Sequence, residues 1–235
     1  MTPPPSRGLR LLGIALAACA FAVLTGTAAP PMRAAHGTTV ARAGTGRIEG
    51  TVTLPDRRAT RTSDRYQSST GEARDVQDVP AVVYLLGAMP GTAAARPSGP
   101  LALTQKGEAF QPPLLVVPVG ARVNFPNGDP LFHNVFSYSR ARRFDLGRYP
   151  KGEAKTVVFD RPGYVKVLCE VHKWMRAGVL VVENPHYTLL PDHGRFHLDD
   201  VPAGRHRVVV ETFDRRAQAE VLVPEGGTAT VTLSP

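Results

Sequence analysis

One short stretch of the sequence, VLCEVHKWMRAGVLV, sets three metal-binding types of side chain at equal intervals. Cys169, His172 and Met175 lie three positions apart, between two runs of Val and Leu. A thiolate, an imidazole and a thioether form a soft ligand set, and the thioether in particular favours copper over zinc. Because one tight loop can bring the three side chains round a single ion, this spacing predicts a metal site.

A fourth ligand is needed, and His133 in the segment DPLFHNVFS is the candidate. The chain has two cysteines, seven histidines and four methionines among 235 residues. The expected frequency of an accidental C-x-x-H-x-x-M pattern is then about one in a thousand, so the pattern is specific. We therefore predict copper held by His133, Cys169, His172 and Met175.

Other interpretations of Cys169 stay open at this point. Zinc normally has more cysteines or histidines close by, and the absence of a C-x-x-C pair disfavours zinc and excludes covalently attached haem. A catalytic cysteine would need a histidine and an Asn or Asp partner, which spacing alone does not exclude. Four other histidines share no spacing and are expected at the surface: His186, His193, His197 and His206.

The N-terminal residues are typical of an export signal. Arg7 and Arg10 precede the apolar stretch LLGIALAACAFAVL, and small residues follow. The apolar run is short for a membrane span, so we expect residues 1–35 to be a signal peptide and flexible leader, and the protein to be periplasmic or extracellular. The sequence Leu-Ala-Ala-Cys ending at Cys19 resembles a bacterial lipobox; lipidation there would add a membrane anchor, and a chance cysteine is the alternative.

Export also bears on Cys169. Exported proteins commonly pair their cysteines as disulfides, yet Cys169 has no partner once Cys19 is removed or lipidated. A metal ion would occupy such a lone thiol.

The elements that must position these ligands are predicted to be β-strands. Gly and Pro each occur 22 times, and no long segment has helical periodicity, so the expected fold class is all-β. The strand GYVKVL ends next to Cys169, and AGVLVVEN begins just after Met175. LALTQKGEAF is expected to be one strand. The basic run from Arg140 to Arg143 is expected to be a solvated loop, with a surface that faces a redox partner as the alternative.

Two segments together resemble the signature sequences of a known family. VNFPNGDPLFHNVFS and GYVKVLCEVHKWMRAGVLVVEN resemble those of cupredoxins of the amicyanin and plastocyanin type, which are blue-copper Greek-key β-sandwiches. The resemblance covers residues 101–184. It implies one type 1 copper ion with His133, Cys169 and His172 in a plane and Met175 as a weak axial ligand. It also implies that Asn134 ties the two ligand segments together, while Trp174 either shields the metal or packs in the core.

A second resemblance concerns the C-terminal part. PDHGRFHLDDVPAGRHRVVVE resembles the second half of a carboxypeptidase-regulatory-like β-sandwich, whose first half is absent directly upstream. The strands GRIEGTVTL and PAVVYLLG resemble that missing half. We therefore expect residues 47–86 with residues 186–235 to form a split second sandwich, into which the copper domain is inserted. The rival is a tandem arrangement in which both early strands belong to the copper domain.

These expectations favour an exported, monomeric electron carrier that catalyses nothing alone. The formal charge of +8 suits an acidic redox partner, and the absence of a clustered basic face argues against nucleic-acid binding. Two alternatives remain: a copper delivery or storage protein, and a structural or adhesion module. A rigid four-ligand set favours electron transfer, because a delivery site should be open and exchangeable.

Overall fold

The structure, a computed structural model, describes these parts of the chain: residues 44–54, 66–67, 71, 73–89, 92, 101–190 and 194–235. The predicted signal peptide with Cys19, much of the Pro/Ala/Gly run before Leu101, and His193 lie outside the described residues. The described residues belong to one compact unit.

The prediction of an all-β fold is confirmed, since the described residues contain strands and no helix. None of the segments that the structure describes forms an apolar helix of membrane-spanning length. The strands are β1 (Thr45–Val52), β2 (Tyr66–Gln67), β3 (Ala73–Arg74), β4 (Ala81–Leu85), β5 (Thr104–Gln105), β6 (Phe110–Gln111), β7 (Leu114–Pro118), β8 (Ala121–Pro126), β9 (His133–Tyr138), β10 (Arg143–Tyr149), β11 (Ala154–Phe159), β12 (Gly163–Leu168), β13 (Arg176–Val182), β14 (Tyr187–Leu190), β15 (Gly194–Pro202), β16 (Gly204–Glu211), β17 (Arg216–Val223) and β18 (Thr228–Leu233).

Strands from the two ends of the described chain share two sheets, which we call the flanking module (β1, β4 and β14–β18). In the first sheet, β1 pairs antiparallel with β15 and parallel with β18. In the second, β4 lies between β14 and β16, and β16 also pairs with β17. Apolar side chains from both sheets fill the space between them, among them Ile48, Val83, Phe196 and Val208. The strands β1 and β4, which precede residue 101, are thus paired with strands that follow residue 186.

The chain between these strands forms a second sandwich, which we call the central module (β5–β13). Its larger sheet has the order β10-β9-β12-β13-β7, and its smaller sheet pairs β8 with β11. The two sheets enclose a core that includes Phe125, Val135, Phe159 and Val165. Gly120 has a φ of 84° in the turn between β7 and β8, a left-handed conformation that glycine adopts at little cost.

The two modules are joined by a third apolar cluster, which lies between their facing sheets. All five residues of β4 are buried: Val83 faces the flanking core, while Val82 and Tyr84 face the central module. Leu180 of β13 and Val209 of β16 belong to the same cluster. Strands that are buried on both faces require continuous apolar runs, and AVVYL and AGVLVV have that pattern.

The structure differs from the predicted elements in two places. LALTQKGEAF is a hairpin of β5 and β6, because Gly107 and Glu108 have positive φ angles and reverse the chain. The basic run predicted as a loop ends in β10, an edge strand that begins at Arg143 and pairs with β9. The sequence of β10 has no apolar alternation that would predict a strand, because most of its residues are polar or charged and only Tyr149 is buried.

Candidate metal centre

Two neighbouring strands and one loop bring the predicted ligands together. His133 is the first residue of β9, and Leu168, the last residue of β12, pairs with Phe136 of β9. Cys169 follows β12 directly, and Met175 immediately precedes β13. The ligand loop (residues 169–175) is therefore held at both ends by paired strands.

Three of the four predicted ligands converge. The side-chain donor atoms of His133, Cys169 and His172 all lie within 4.8 Å of one another, and all three residues are buried. His133 Nδ1 lies 2.9 Å from His172 Nδ1 and 3.9 Å from the Cys169 sulfur. Met175 is fully buried and belongs to the same core cluster as Cys169, and its N–H donates to the His172 carbonyl at 2.9 Å.

The orientation of His133 is set by Asp129. Asp129 Oδ2 lies 2.9 Å from His133 Nε2. An ionised carboxylate only accepts hydrogen bonds, so Nε2 carries a proton. Nδ1, which faces Cys169 and His172, is the nitrogen left to bind a metal. Burial alone raises the pKa of Asp129, but the N–H groups of Glu108 and Gly107 and the His133 ring outweigh it, and the pKa is lowered. Asp129 is therefore a buried carboxylate that stays ionised.

The charges of His133 and Cys169 are coupled. Burial raises the pKa of the Cys169 thiol, but its contacts with His133 and with backbone N–H groups outweigh burial, and the pKa is lowered. Burial lowers the pKa of His133, yet the hydrogen bonds to Cys169 and Asp129 raise it overall. The pocket thus favours a thiolate beside a cation, and a metal ion supplies that positive charge as well as a proton does.

His172 has a different environment. Burial lowers its pKa, and the nearby His133 lowers it further, which keeps this imidazole neutral and its Nδ1 available as a ligand. The ring of Trp174 lies 5.1 Å from the His172 ring, and its Nε1 donates to the Glu108 carbonyl at 3.2 Å. Trp174 is buried and belongs to the core cluster, so it both covers His172 and packs in the core.

The Asn134 side chain forms two hydrogen bonds with residues outside its own strand. Its Oδ1 accepts from the N–H of Glu170 at 3.4 Å, which links the β9 segment to the ligand loop. Its Nδ2 donates to Asp145 Oδ1 at 2.7 Å, on the edge strand β10. Asn134 therefore ties the ligand loop to two strands of the larger sheet.

The donor set fits copper. The three convergent donors are two imidazole nitrogens and one sulfur, without a carboxylate oxygen, which disfavours Mg²⁺ and Ca²⁺. A thiolate with two imidazoles suits copper or zinc, and the buried Met175 in the same core cluster as Cys169 favours copper.

Sequence reasoning missed two carboxylates and misplaced one histidine. Asp129 was not considered, although an acidic residue four positions before a ligand histidine in a short loop is a usable signal. Asp145 had no visible partner because β10 was not predicted. His186, expected at the surface, is buried, and burial lowers its pKa, because it lies at the packed junction between β13 and β14.

Comparisons with known proteins give structural likenesses alone. No protein-family model matches the chain, and no curated protein matches it. A copper-containing nitrite reductase from Thermus scotoductus is 25% identical, with a TM-score of 0.35, and the match covers 40% of this chain and 25% of the reductase. A mutant of amicyanin in its Cu(I) form is 22% identical, with a TM-score of 0.34, and the match covers 43% of this chain and 98% of amicyanin.

A purple cupredoxin from Nitrosopumilus maritimus is 24% identical, with a TM-score of 0.32. That match covers 34% of this chain and 98% of the cupredoxin. Two of these three proteins contain copper, and the third is named as a cupredoxin. At such TM-scores we draw no functional conclusion from them, and the chain matches only a quarter of the nitrite reductase.

Proposed function

We propose that this protein is an exported electron carrier with one mononuclear type 1 copper ion, bound by His133, Cys169, His172 and Met175. The observation that carries the proposal is the convergence of two imidazole nitrogens and one thiolate sulfur within 4.8 Å in a buried pocket. When bound there, copper supplies one-electron chemistry by alternating between its Cu(I) and Cu(II) states.

The role of the protein is to hold these ligands still. Copper in its two oxidation states prefers different geometries, so a rigid ligand set lowers the cost of changing state. Asp129 orients His133, Asn134 ties the ligand loop to β9, and a backbone N–H donates to the Cys169 sulfur at 3.5 Å. Hydrogen bonds of this kind orient metal ligands and tune a metal site.

Two exposed apolar side chains favour a docking surface at the ligand end of the central module. Phe132 precedes His133 and is 58% exposed, and Val171 precedes His172 and is 39% exposed. Because the rings of His133 and His172 lie 4.7 Å apart, both apolar side chains lie at the same end. A redox partner that covers them would approach the metal closely and exclude water from the contact.

The remaining features of the proposal come from the sequence. The net charge of +8 favours an acidic redox partner, whose reaction should slow as salt screens the attraction. The N-terminal signal favours a periplasmic or extracellular location, with an added membrane anchor if Cys19 is lipidated. The carrier is proposed to act as a monomer and to have no catalytic activity of its own.

Electron self-exchange tests the proposal without a known partner. We expect mixed Cu(I) and Cu(II) protein to show exchange-broadened NMR signals, and Phe132→Glu to slow the exchange because it places like charges at the docking surface. Leu222→Glu is the matched control, since Leu222 is 63% exposed on β17 of the flanking module. Equal slowing in both variants would contradict docking at the ligand end.

The copper-delivery alternative predicts that the reduced protein releases its copper readily, whereas an electron carrier retains it. An electron carrier keeps its copper in both oxidation states, so a mild Cu(I) chelator should remove it slowly compared with electron exchange. If Cu(I) passes to the chelator as soon as the protein is reduced, delivery or storage replaces electron transfer as the function.

A further inference from the structure

The segment that leads into β4 contacts the ligand loop directly. The N–H of Gln77 donates to the carbonyl of Trp174 at 2.9 Å, and the carbonyl of Gln77 accepts from Arg176 Nε at 2.8 Å. The two bonds lie on either side of Met175. A single residue of the segment before β4 therefore holds both neighbours of the predicted axial ligand.

Gln77 is itself fixed in position. Its side-chain oxygen accepts from the N–H of Phe110 at 2.9 Å, and its side-chain nitrogen donates to the carbonyl of Phe110 at 2.5 Å. Phe110 is fully buried in the core of the central module. These paired bonds leave Gln77 little freedom to move with the ligand loop.

The flanking module contacts Arg176 through the turn between β16 and β17. The Arg176 guanidinium lies over the Phe213 ring, 4.7 Å from its centroid, and its Nη1 lies 3.4 Å from Asp214 Oδ2. Phe213 is buried in the apolar cluster between the modules. Thr212 braces this turn between β16 and β17, because its Oγ1 accepts from the N–H of Arg215 at 2.8 Å.

We propose that the flanking module is a brace for the metal site, and that Arg176 is the positioning residue through which it holds the ligand loop. The inference rests on the proposed function. Arg176 follows Met175 directly, and its planar guanidinium makes three different contacts at once: a hydrogen bond, an ion pair and a ring stack. Lysine has one nitrogen donor centre and no planar surface, so it cannot make this set.

Substitution at Arg176 separates bracing from charge. Arg176→Ala removes the contacts and the positive charge, whereas Arg176→Lys removes most of the contacts and keeps the charge. If bracing matters, both variants lose Cu(I) to a chelator about tenfold faster, a typical effect of changing a residue that supports metal ligands. Both should also show a changed EPR hyperfine splitting of Cu(II). If Arg176→Lys behaves like the wild type, Arg176 acts by charge alone and the inference is wrong.

The copper-free protein gives an independent readout. Amide hydrogen exchange in the ligand loop should be faster in both variants, while exchange in the cores of the two modules stays the same. Arg142→Ala is the matched control, because Arg142 forms an ion pair with Asp160 at 3.5 Å near the turn between β9 and β10, at the opposite end of β9 from His133. The control should leave copper release and loop exchange unchanged.

A milder variant guards against a folding defect. Asp214→Asn removes one charge from an exposed side chain and leaves Phe213 and Gln77 in place. We expect it to speed loop exchange less than Arg176→Ala and to unfold at the wild-type temperature. Unchanged loop exchange in all three variants would overturn the brace even if the protein binds copper. A chain that binds no copper but shows faster loop exchange would contradict the proposed function and leave the brace supported.

Discussion

At the scale of single residues, the buried charge of Asp129 is expected to act on the metal through His133. Asp129 accepts from two backbone N–H groups, those of Gly107 and Glu108, and contacts His133 Nε2. Carboxylates bonded to a ligand histidine make it a stronger electron donor and fix its orientation. The negative charge also stabilises Cu(II) relative to Cu(I).

Asp129→Asn should therefore raise the reduction potential and weaken copper binding by about tenfold. Voltammetry and competition with a chelator measure the two effects. Asp160→Asn is the control, because Asp160 is an exposed carboxylate that pairs with Arg142. An unchanged potential in Asp129→Asn would mean that the carboxylate does not act on the metal through His133.

Met175→Leu tests the axial position. Met175 is fully buried, and leucine has a similar volume, so we expect a loss of less than about 1.5 kcal/mol in the free energy of unfolding. The visible colour should remain and the reduction potential should rise, because the thioether is a weak ligand that stabilises Cu(II). Loss of all copper from this variant would show that Met175 holds the ion more firmly than an axial ligand does.

Residue spacing predicted which donors to consider but not what supports them. Cys169, His172 and Met175 lie in one loop, so their spacing in sequence is close to their arrangement in space. Asp129 and Gln77 form hydrogen bonds with backbone N–H groups and carbonyls of segments that are remote in sequence. Such contacts depend on the three-dimensional packing of loops and leave no pattern of residue types.

At the scale of elements, β16 carries an acidic residue into the contact between the modules. Tyr84 donates to Glu211 at 3.3 Å, and Arg216 lies 3.5 Å from the Glu211 carboxylate. Burial raises the pKa of Glu211, and the opposing effects of Arg216, Tyr84 and Lys166 do not offset it. Ionisation of Glu211 therefore costs the folded state more than the unfolded state.

This cost predicts a pH-dependent contribution to stability. A carboxyl with a raised folded pKa stabilises the folded protein below its ordinary pKa, and that contribution is lost as pH rises through the folded pKa. Glu211→Gln should remove this part of the pH dependence in urea unfolding of the copper-free protein. Glu220→Gln, on the exposed face of β17, is the control. Identical pH profiles for wild type and Glu211→Gln would contradict the assignment.

Buried strands could be predicted from the sequence, whereas mostly exposed strands could not. Strands buried on both faces, such as β4 and β13, are continuous apolar runs and were predicted. The edge strand β10 is mostly exposed and has no apolar pattern, and the β5–β6 hairpin depends on the positive φ of Gly107 and Glu108.

At the scale of the whole molecule, we propose that the central module is inserted into the flanking module. The pairing of β1 with β15 and β18, and of β4 with β14 and β16, is consistent with the split that the sequence resemblance predicts. The sequence carried no sign that the two modules pack sheet against sheet, since an apolar strand does not reveal its partner.

A shared apolar cluster predicts that the modules unfold together. Calorimetry of the copper-free protein should show one transition, because Leu180 and Val209 are buried only when both modules are folded. Copper at about 100 times its dissociation constant should then add about 2.7 kcal/mol to the stability of the whole unit. Two separate transitions, with copper raising only one, would show that the modules are independent.

The visible absorption spectrum of the purified Cu(II) protein tests the central claim most directly. A thiolate bound to Cu(II) in a type 1 site gives an intense charge-transfer band, so we expect a blue protein with one copper per chain. Cys169→Ser should abolish the band, and Val171→Ser, a control in the same loop, should keep it. A colourless protein, or one that binds zinc and copper equally well with or without the Cys169 thiol, would contradict the account.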